Sequence, residues 1–235
     1  MRDLLLRWFA ANGRDLPWRR TRDPYAILVS EVMLQQTQVA RVVPRYLEWL
    51  ERWPTVAALA AASTADVLRD WQGLGYNRRA LNLQRAAREV AANGWPDDLT
   101  RLPGVGPYTA AAVGCFAFER AELPVDVNVR RVRERTGSEF DHTCAQALMD
   151  LGATVCLARV PRCGECPLTA VCPSRGRRFE PERKQGRFEG SFRQRRARAL
   201  RSILDGCDPA DAAAVAALAA DGLVQVEGGV VSPPA

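Results

Sequence analysis

Two carboxylates, four cysteines and one glycine turn are the places in this chain where residue type and spacing could do chemistry. Glu31 stands in Ile27-Leu28-Val29-Ser30-Glu31-Val32-Met33-Leu34. A carboxyl among so many apolar neighbours is expected to be desolvated, which raises its pKa and suits it to donate a proton near neutral pH. The plainer alternative is an exposed helix glutamate with Ser30 and Gln35 on its face. Asp126 follows Leu123-Pro124-Val125 and opens Val127-Asn128-Val129-Arg130. Local sequence favours a simple N-cap there over a catalytic role. Cys156, Cys163, Cys166 and Cys172 are spaced C-x6-C-x2-C-x5-C within 17 residues. Four thiols so close in a cytosolic chain point to metal and away from disulfides. Spacing alone leaves zinc and a cubic iron–sulfur cluster equally open. Leu102-Pro103-Gly104-Val105-Gly106-Pro107-Tyr108-Thr109 reads as a glycine turn entering a helix with Pro at its first position. Backbone amides there, at Gly104, Val105, Gly106 and Thr109, suit a phosphate; a purely structural corner between two helices is the competing reading.

Absences narrow the chemistry. His142 is the only histidine and Lys184 the only lysine. A two-histidine zinc protease helix is therefore excluded, and so is a lysine Schiff base in the main body. The net charge is +6, but residues 175–201 hold eleven basic and three acidic side chains, so the remainder carries about −2. Basic charge gathered in one place suggests a polyanion, nucleic acid first. No run of 18 apolar residues exists and the N-terminus lacks a secretory pattern, so the expectation is a cytoplasmic protein with no membrane segment.

The elements that must position these residues are mostly helical. Asp23-Pro24 caps a helix to about Gln36. Thr37 can cap the next, from Val39 to about Trp53. Helices follow at about Val56–Ala61, Thr64–Trp71 and Tyr76–Ala92, then a short one at Asp98–Leu102. Further helices run at Pro107–Phe118, from Asp126 to about Thr136, and at about Thr143–Cys156. The tail reads as helix (Ser191–Leu204), helix (Pro209–Asp221) and a Gly-Gly hairpin over 223–231, a small winged-helix-like module.

Taken together, these pieces resemble the helix-hairpin-helix DNA glycosylases with an iron–sulfur cluster, and within them the adenine DNA glycosylase (MutY) family. The matching segments are Leu16-Pro17-Trp18-Arg19, Asp23-Pro24-Tyr25, the run from Ser30 to Val39, Gly73-Leu74-Gly75-Tyr76, the run from Leu102 to Thr109, the run from Val125 to Val132, and the four cysteines. The resemblance covers about Leu4 to Cys172. It implies an all-α, two-domain fold with a [4Fe–4S] cluster loop. The division expected is 1–23 with 119–175 as cluster domain, 24–118 as the helix-hairpin-helix domain, 176–190 as basic linker and 191–235 as the tail module. By the same resemblance, Glu31 protonates a flipped purine and Asp126 stabilises the sugar cation. Tyr108 and Asn128 orient water and the aspartate. Arg19, Gln36, Thr37 and Tyr76 line the base pocket or wedge into the stack. Cys156, Cys163, Cys166 and Cys172 bind the cluster. The partner is double-stranded DNA carrying a mispaired or damaged base, and a monomer at the nucleoid is expected. Tyr108 stands where lyase relatives carry lysine, so a monofunctional glycosylase is implied.

The sequence also departs from the family. Asn77 replaces a second tyrosine after Tyr76, Val127 replaces a small residue, and the stretch after Arg175 is shorter than the 8-oxoguanine-recognition domain of many members. The alternatives are a glycosylase for hypoxanthine or mismatched uracil or thymine, and a non-catalytic DNA-binding module.

Overall fold

The computed structural model describes residues 1–178 and 186–234. The centre of the expected basic linker, residues 179–185, lies outside the described residues, as does Ala235. Among the described residues the regular elements are all helices apart from one antiparallel hairpin. Among the described residues no helix is long and apolar enough to cross a membrane.

Two compact units form. The first is Met1–Ile27 with Gly106–Lys184, of which 106–178 are described; the second is Leu28–Val105 with Gln185–Ala235, of which the tail is described over 186–234. Against the sequence-based division, the first unit runs on to Ile27 and takes the helix after the glycine turn, and the tail groups with the second unit.

In the first unit, α1 (Arg2–Asn12), α7 (Pro107–Ala117), α8 (Val127–Thr136) and α9 (Ala145–Thr154) carry the fold. Val129 and Val132 on α8 meet Leu148 and Leu151 on α9, with Leu5 of α1 and Leu168 of the cysteine loop completing a core. The spacing i, i+3 puts each pair on one helix face. Gly137, at φ +63, ends α8 in the left-handed cap that only glycine adopts without strain. Gly152 lets α8 and α9 touch: a Cβ there would lie 2.6 Å from Asn128 Cβ. The end of α7 turns straight into the approach to α8, with the amides of Phe118 and Arg120 both donating to Gly114 O at 3.2 and 2.9 Å. That continuity explains why α7 belongs to the first unit. The helix expected over Thr143–Cys156 is instead a 3-10 turn, His142–Cys144, followed by α9, because Asp141 caps the turn through the Thr143 amide.

The second unit holds most of α2 (Pro24–Leu34), then α3 (Val39–Arg52), α4 (Val56–Ala61), α5 (Thr64–Asp70) and α6 (Arg78–Asn93). Trp49 and Trp71 meet edge to face, 5.4 Å between centroids, at the centre of its core. Gln84 is buried on α6 but fully engaged, accepting from Thr64 Oγ1 and donating to Ala62 O. Asp98–Leu102 shortens to a 3-10 turn, Leu99–Arg101. The tail supplies α10 (Phe192–Leu204), α11 (Ala212–Ala220) and strands β1 (Gln225–Glu227) and β2 (Val230–Ser232), with Val226 opposite Val231. Gly228 and Gly229 both take positive φ, as a two-residue hairpin turn requires. The tail is fastened to α5 by two hydrogen bonds from Arg69 to Leu204 O, 3.1 and 3.3 Å, and to the turn after α5 by one from Arg201 Nε to Gln72 Oε1, 3.0 Å. These contacts are why it does not stand alone.

Candidate active site

Helix α2 is buried on every side: residues 25–33 are all buried, and Glu31 among them is 6% exposed. Asp23 starts this helix by accepting from the Tyr25 and Ala26 amides, as its position before Pro24 predicts. The exposed-helix alternative for Glu31 is ruled out by this burial. A carboxyl taken out of water on an otherwise apolar helix needs a reason, and proton transfer is one.

The helix stops at Leu34, two residues earlier than expected, because Gln36 turns left-handed at φ +55. Tyr76, the other expected wedge residue, is also left-handed at φ +47 and is half exposed. Thr37 does not cap α3; Gln38 is the N-cap, without a side-chain bond. Instead Thr37 Oγ1 accepts from Arg79 Nη2 at 3.2 Å. The second unit thus gathers Gln36, Thr37 and Tyr76 around one buried arginine, which sequence reasoning missed.

Asp126 sits in the first unit as the N-cap of α8. Its Oδ1 accepts from the amides of Asn128 and Val129 at 2.9 and 2.7 Å, and its Oδ2 accepts from Asn128 Nδ2 at 2.7 Å. The N-cap reading holds, and the same bonds fix the carboxylate in place. Asn128 is held in turn: Arg131 Nη2 donates to Asn128 Oδ1 at 2.6 Å and to Gly152 O at 2.7 Å, while its Nε donates to Cys156 O at 2.8 Å. Burial lowers the Arg131 guanidinium from its ordinary value. This arginine ties the aspartate's neighbour to the start of the cysteine loop. The basic run Arg130-Arg131-Val132-Arg133 gave no hint which member would turn inward.

All four cysteines line one cavity with Val132, Leu151, Val155 and Leu168, directly against the first unit's core. The Gly176 amide donates to Cys163 Sγ at 3.3 Å and Arg135 Nη1 to Cys156 Sγ at 3.5 Å. Arg135 also donates to Leu157 O and Ala158 O, so it shapes the loop that carries the first cysteine. Among the described residues, no three histidine, cysteine or acidic side chains stand as a ready-made enclosure for a metal ion.

Arg19 is placed otherwise than a bare pocket residue. Its Nη1 and Nη2 donate to the two oxygens of Asp150 at 2.9 and 2.7 Å, and Nη1 also donates to Arg14 O. Arg14 adds its own fork and its amide to the same carboxylate. Asp150 is 0% exposed. Burial by itself would raise its carboxyl, but the hydrogen bonds from Arg19 and Arg14 outweigh it and hold the group below the usual carboxylate range. The signal was present: a lone acid inside Leu148-Met149-Asp150-Leu151-Gly152 must find a cation.

The glycine turn has the form expected. Gly104 is left-handed at φ +76 and lies against α6, where a Cβ would come within 2.6 Å of Asn82 Cβ. Gly106 precedes α7 with no side-chain cap, so the Tyr108 and Thr109 amides at its start are not taken by a capping side chain. The side chains of Val105 and Thr109 are buried, and the Val105 amide, expected to meet a phosphate, instead donates to Leu102 O at 3.1 Å. Tyr108 is half-buried beside them.

Comparison with known proteins fits this arrangement. The pattern described as "HhH-GPD superfamily base excision DNA repair protein" matches residues 29–149. An adenine DNA glycosylase of Mycobacterium tuberculosis is 44% identical, over 83% of this chain and 76% of its own length. One of Mycolicibacterium smegmatis is 43% identical over 87% and 80%, and that of Homo sapiens is 40% identical over 75% of this chain and 39% of its own. Among solved structures, a thermostable thymine-DNA glycosylase superposes with a TM-score of 0.66 at 29% identity, covering 73% of this chain and 93% of its own. A trapped endonuclease III–DNA complex superposes at 0.63 and 24% identity, over 73% and 92%, a likeness of fold.

Proposed function

We propose a function that proceeds from kinship: this chain belongs to the HhH-GPD superfamily of base excision DNA repair proteins and, within it, to the adenine DNA glycosylases. It is a DNA glycosylase. The substrate it fits best is adenine mispaired in duplex DNA, opposite 8-oxoguanine or guanine. The observation that carries this reading is Glu31, 6% exposed on a helix buried along its length.

An adenine inside a duplex is out of reach, so the base must be extruded first. Gln36 and Tyr76 fill the gap in the stack, with Thr37 and Arg19 assigned to the pocket. Glu31 gives its proton to purine N7. The C1′–N9 bond then breaks, its electron pair goes to the protonated purine, and the base leaves neutral. The sugar is left as an oxocarbenium-like cation. Asp126 faces that charge as a carboxylate, held in place by two amides and Asn128, and bonds to C1′. Water positioned by Tyr108 and Asn128 displaces the carboxylate from C1′, returning a proton to Glu31 and leaving an abasic site. Backbone amides of the turn at Gly104, Gly106 and Thr109 grip a phosphate without reading sequence, while the Val105 amide closes the turn on Leu102 O. With tyrosine at position 108 and Lys184 the only lysine, the strand is not cut through a Schiff base.

Cys156, Cys163, Cys166 and Cys172 are the residues to hold a [4Fe–4S] cluster. Four sulfurs on one apolar cavity, two of them receiving N–H donors, suit such a group. Iron–thiolate bonds would pin the loop that Arg131 and Arg135 grip. A DNA substrate agrees with a location at the nucleoid in the cytoplasm, and a monomer is the state proposed.

The test is release of free base from duplexes carrying adenine, inosine, uracil or thymine opposite guanine or 8-oxoguanine. Adenine opposite 8-oxoguanine or guanine is expected to be the preferred target. Preferred release of thymine, uracil or hypoxanthine would move the chain to a neighbouring specificity. No release from any duplex would reduce it to a binding module. Borohydride should trap no enzyme on the DNA.

A further inference from the structure

Arg79 is 9% exposed on α6, yet its acceptors are neutral: six backbone carbonyls and one hydroxyl. Nη1 donates to Val32 O, Met33 O and Gln35 O at 2.8, 3.0 and 2.6 Å. Nη2 donates to Thr37 Oγ1, Leu74 O and Gly75 O at 3.2, 3.1 and 2.9 Å. Nε reaches Tyr76 O at 3.4 Å. The guanidinium also lies over the rings of Trp71 and Tyr76, at 5.2 and 5.6 Å. Burial pulls its pKa down to about 10, so it stays charged at neutral pH.

The acceptors are not scattered. They bracket the two left-handed, non-glycine residues found among the described residues of the second unit. Gln35 and Thr37 flank Gln36; Gly75 precedes Tyr76, whose own carbonyl is the last acceptor. Side chains hold such a backbone only where their surroundings fix it. One planar fork reaches both turns at once, which a lysine ammonium cannot do.

We infer that Arg79 is the positioning residue that sets Gln36 and Tyr76 as a matched pair, so that base extrusion from a duplex depends on it although it touches no base. This rests on the reading of Gln36 and Tyr76 as wedge residues. Arg79 lies beneath both turns, and no contact with the reacting atoms is needed for the effect.

The experiment uses the full chain and a duplex with adenine opposite 8-oxoguanine and 2-aminopurine next to that adenine. Fluorescence reports unstacking before chemistry, and single-turnover release reports the rate. Arg79→Lys is expected to lose most of the fluorescence rise and to slow release about a hundredfold. Its melting temperature should fall somewhat, because buried carbonyls lose their donors, while its affinity for undamaged duplex, which rests on backbone contacts, should stay within about threefold. A purely structural role would lower melting and affinity together. Tyr76→Ala and Gln36→Ala separate the two readings. If they lose unstacking while Arg79→Lys keeps it, the inference is overturned and the wedge stands. If they keep it, the wedge reading falls and the inference goes with it. Should Arg79→Lys fail to fold, Thr37→Val removes one acceptor side chain: reduced unstacking with unchanged melting supports the inference, and unchanged unstacking overturns it.

Discussion

The two units set their carboxylates in different surroundings. Asp126 is held by the chain next to it: two amides and an amide side chain within three residues, with Arg131 carrying the restraint on to Gly152 and Cys156. Glu31 is held by burial of the whole helix that bears it, and the end of that helix is gripped by Arg79, 48 positions along the chain. The first arrangement fixes an anion by donors and suits a group that must stay charged and aimed. The second keeps water away from a group that must give up a proton and take one back. A pair of carboxyls divided in this way is what N-glycosidic cleavage asks for.

The largest test of this contrast is catalytic. Glu31→Gln and Asp126→Asn should each slow single-turnover adenine release by about a thousandfold. Glu31→Gln exchanges a buried carboxyl for an amide of the same shape, so its melting temperature is expected to stay nearly level. A Glu31→Gln variant that releases adenine at the wild-type rate would leave only the binding function.

Next comes the ion-pair network confined to the first unit. Asp150→Asn leaves Arg14 and Arg19 facing a neutral amide, and a loss of about 3–5 kcal/mol is expected in urea melts at neutral pH. The sign with pH follows from the direction of the shift. The folded carboxyl lies below its ordinary value, so its contribution is complete above an unfolded value of about 3.9 and drains away as pH falls from there through the folded value. The gap between wild type and Asp150→Asn should therefore narrow below about pH 4. A gap that stays constant down to pH 2 would mean that the pair is not what joins Arg14 and Arg19 to α9.

Much of this was legible beforehand, for reasons that differ by residue. Helix starts at Asp23-Pro24 and Asp126, the turn at Gly104 and the hairpin at Gly228-Gly229 are local, and local chemistry writes them plainly. The ends of elements were less legible. Nothing in Leu34-Gln35-Gln36 says that Gln36 will turn left-handed, because that conformation is imposed by Arg79 from α6. The partners of buried arginines are hidden for the same reason. Arg19, Arg79 and Arg131 look alike in a chain this rich in arginine, and only tertiary contacts give one a carboxylate, one a set of carbonyls and one an amide oxygen. The grouping of the tail with α5 depends on Arg69 and Arg201 reaching particular acceptors, which composition does not announce.

Two glycines sharpen the contrast at smaller scale. Gly152 is closed in by Asn128, with a Cβ position 3.0 Å from both its Cα and its carbonyl oxygen. Gly152→Ala must push α8 away, costing about 1–3 kcal/mol and disturbing the residue that aims Asp126. Adenine release should fall about tenfold. Gly75 has nothing within 4 Å but sits at φ +72 in the turn before Tyr76. Gly75→Ala pays only backbone strain, about 1–2 kcal/mol, and its effect should fall on unstacking and not on the chemical step. Equal effects of both substitutions on both steps would erase the distinction between the units.

The smallest effect is the most discriminating for Asp126 itself. Asparagine caps a helix about as well as aspartate, so Asp126→Asn should change stability by less than about 0.5 kcal/mol, while Asp126→Ala should cost about 1 kcal/mol. Both remove the carboxylate, so both should be equally inactive in single-turnover release. Stability then tracks the cap and activity tracks the charge, two roles of one side chain that the pair of substitutions pulls apart. A loss well above 2 kcal/mol in Asp126→Asn would show that the carboxylate anchors the chain Asn128–Arg131–Cys156 as well as ending a helix. In that event, low activity in this variant could no longer be credited to the missing charge alone, and the first unit would resemble the second in holding its carboxyl by distant structure.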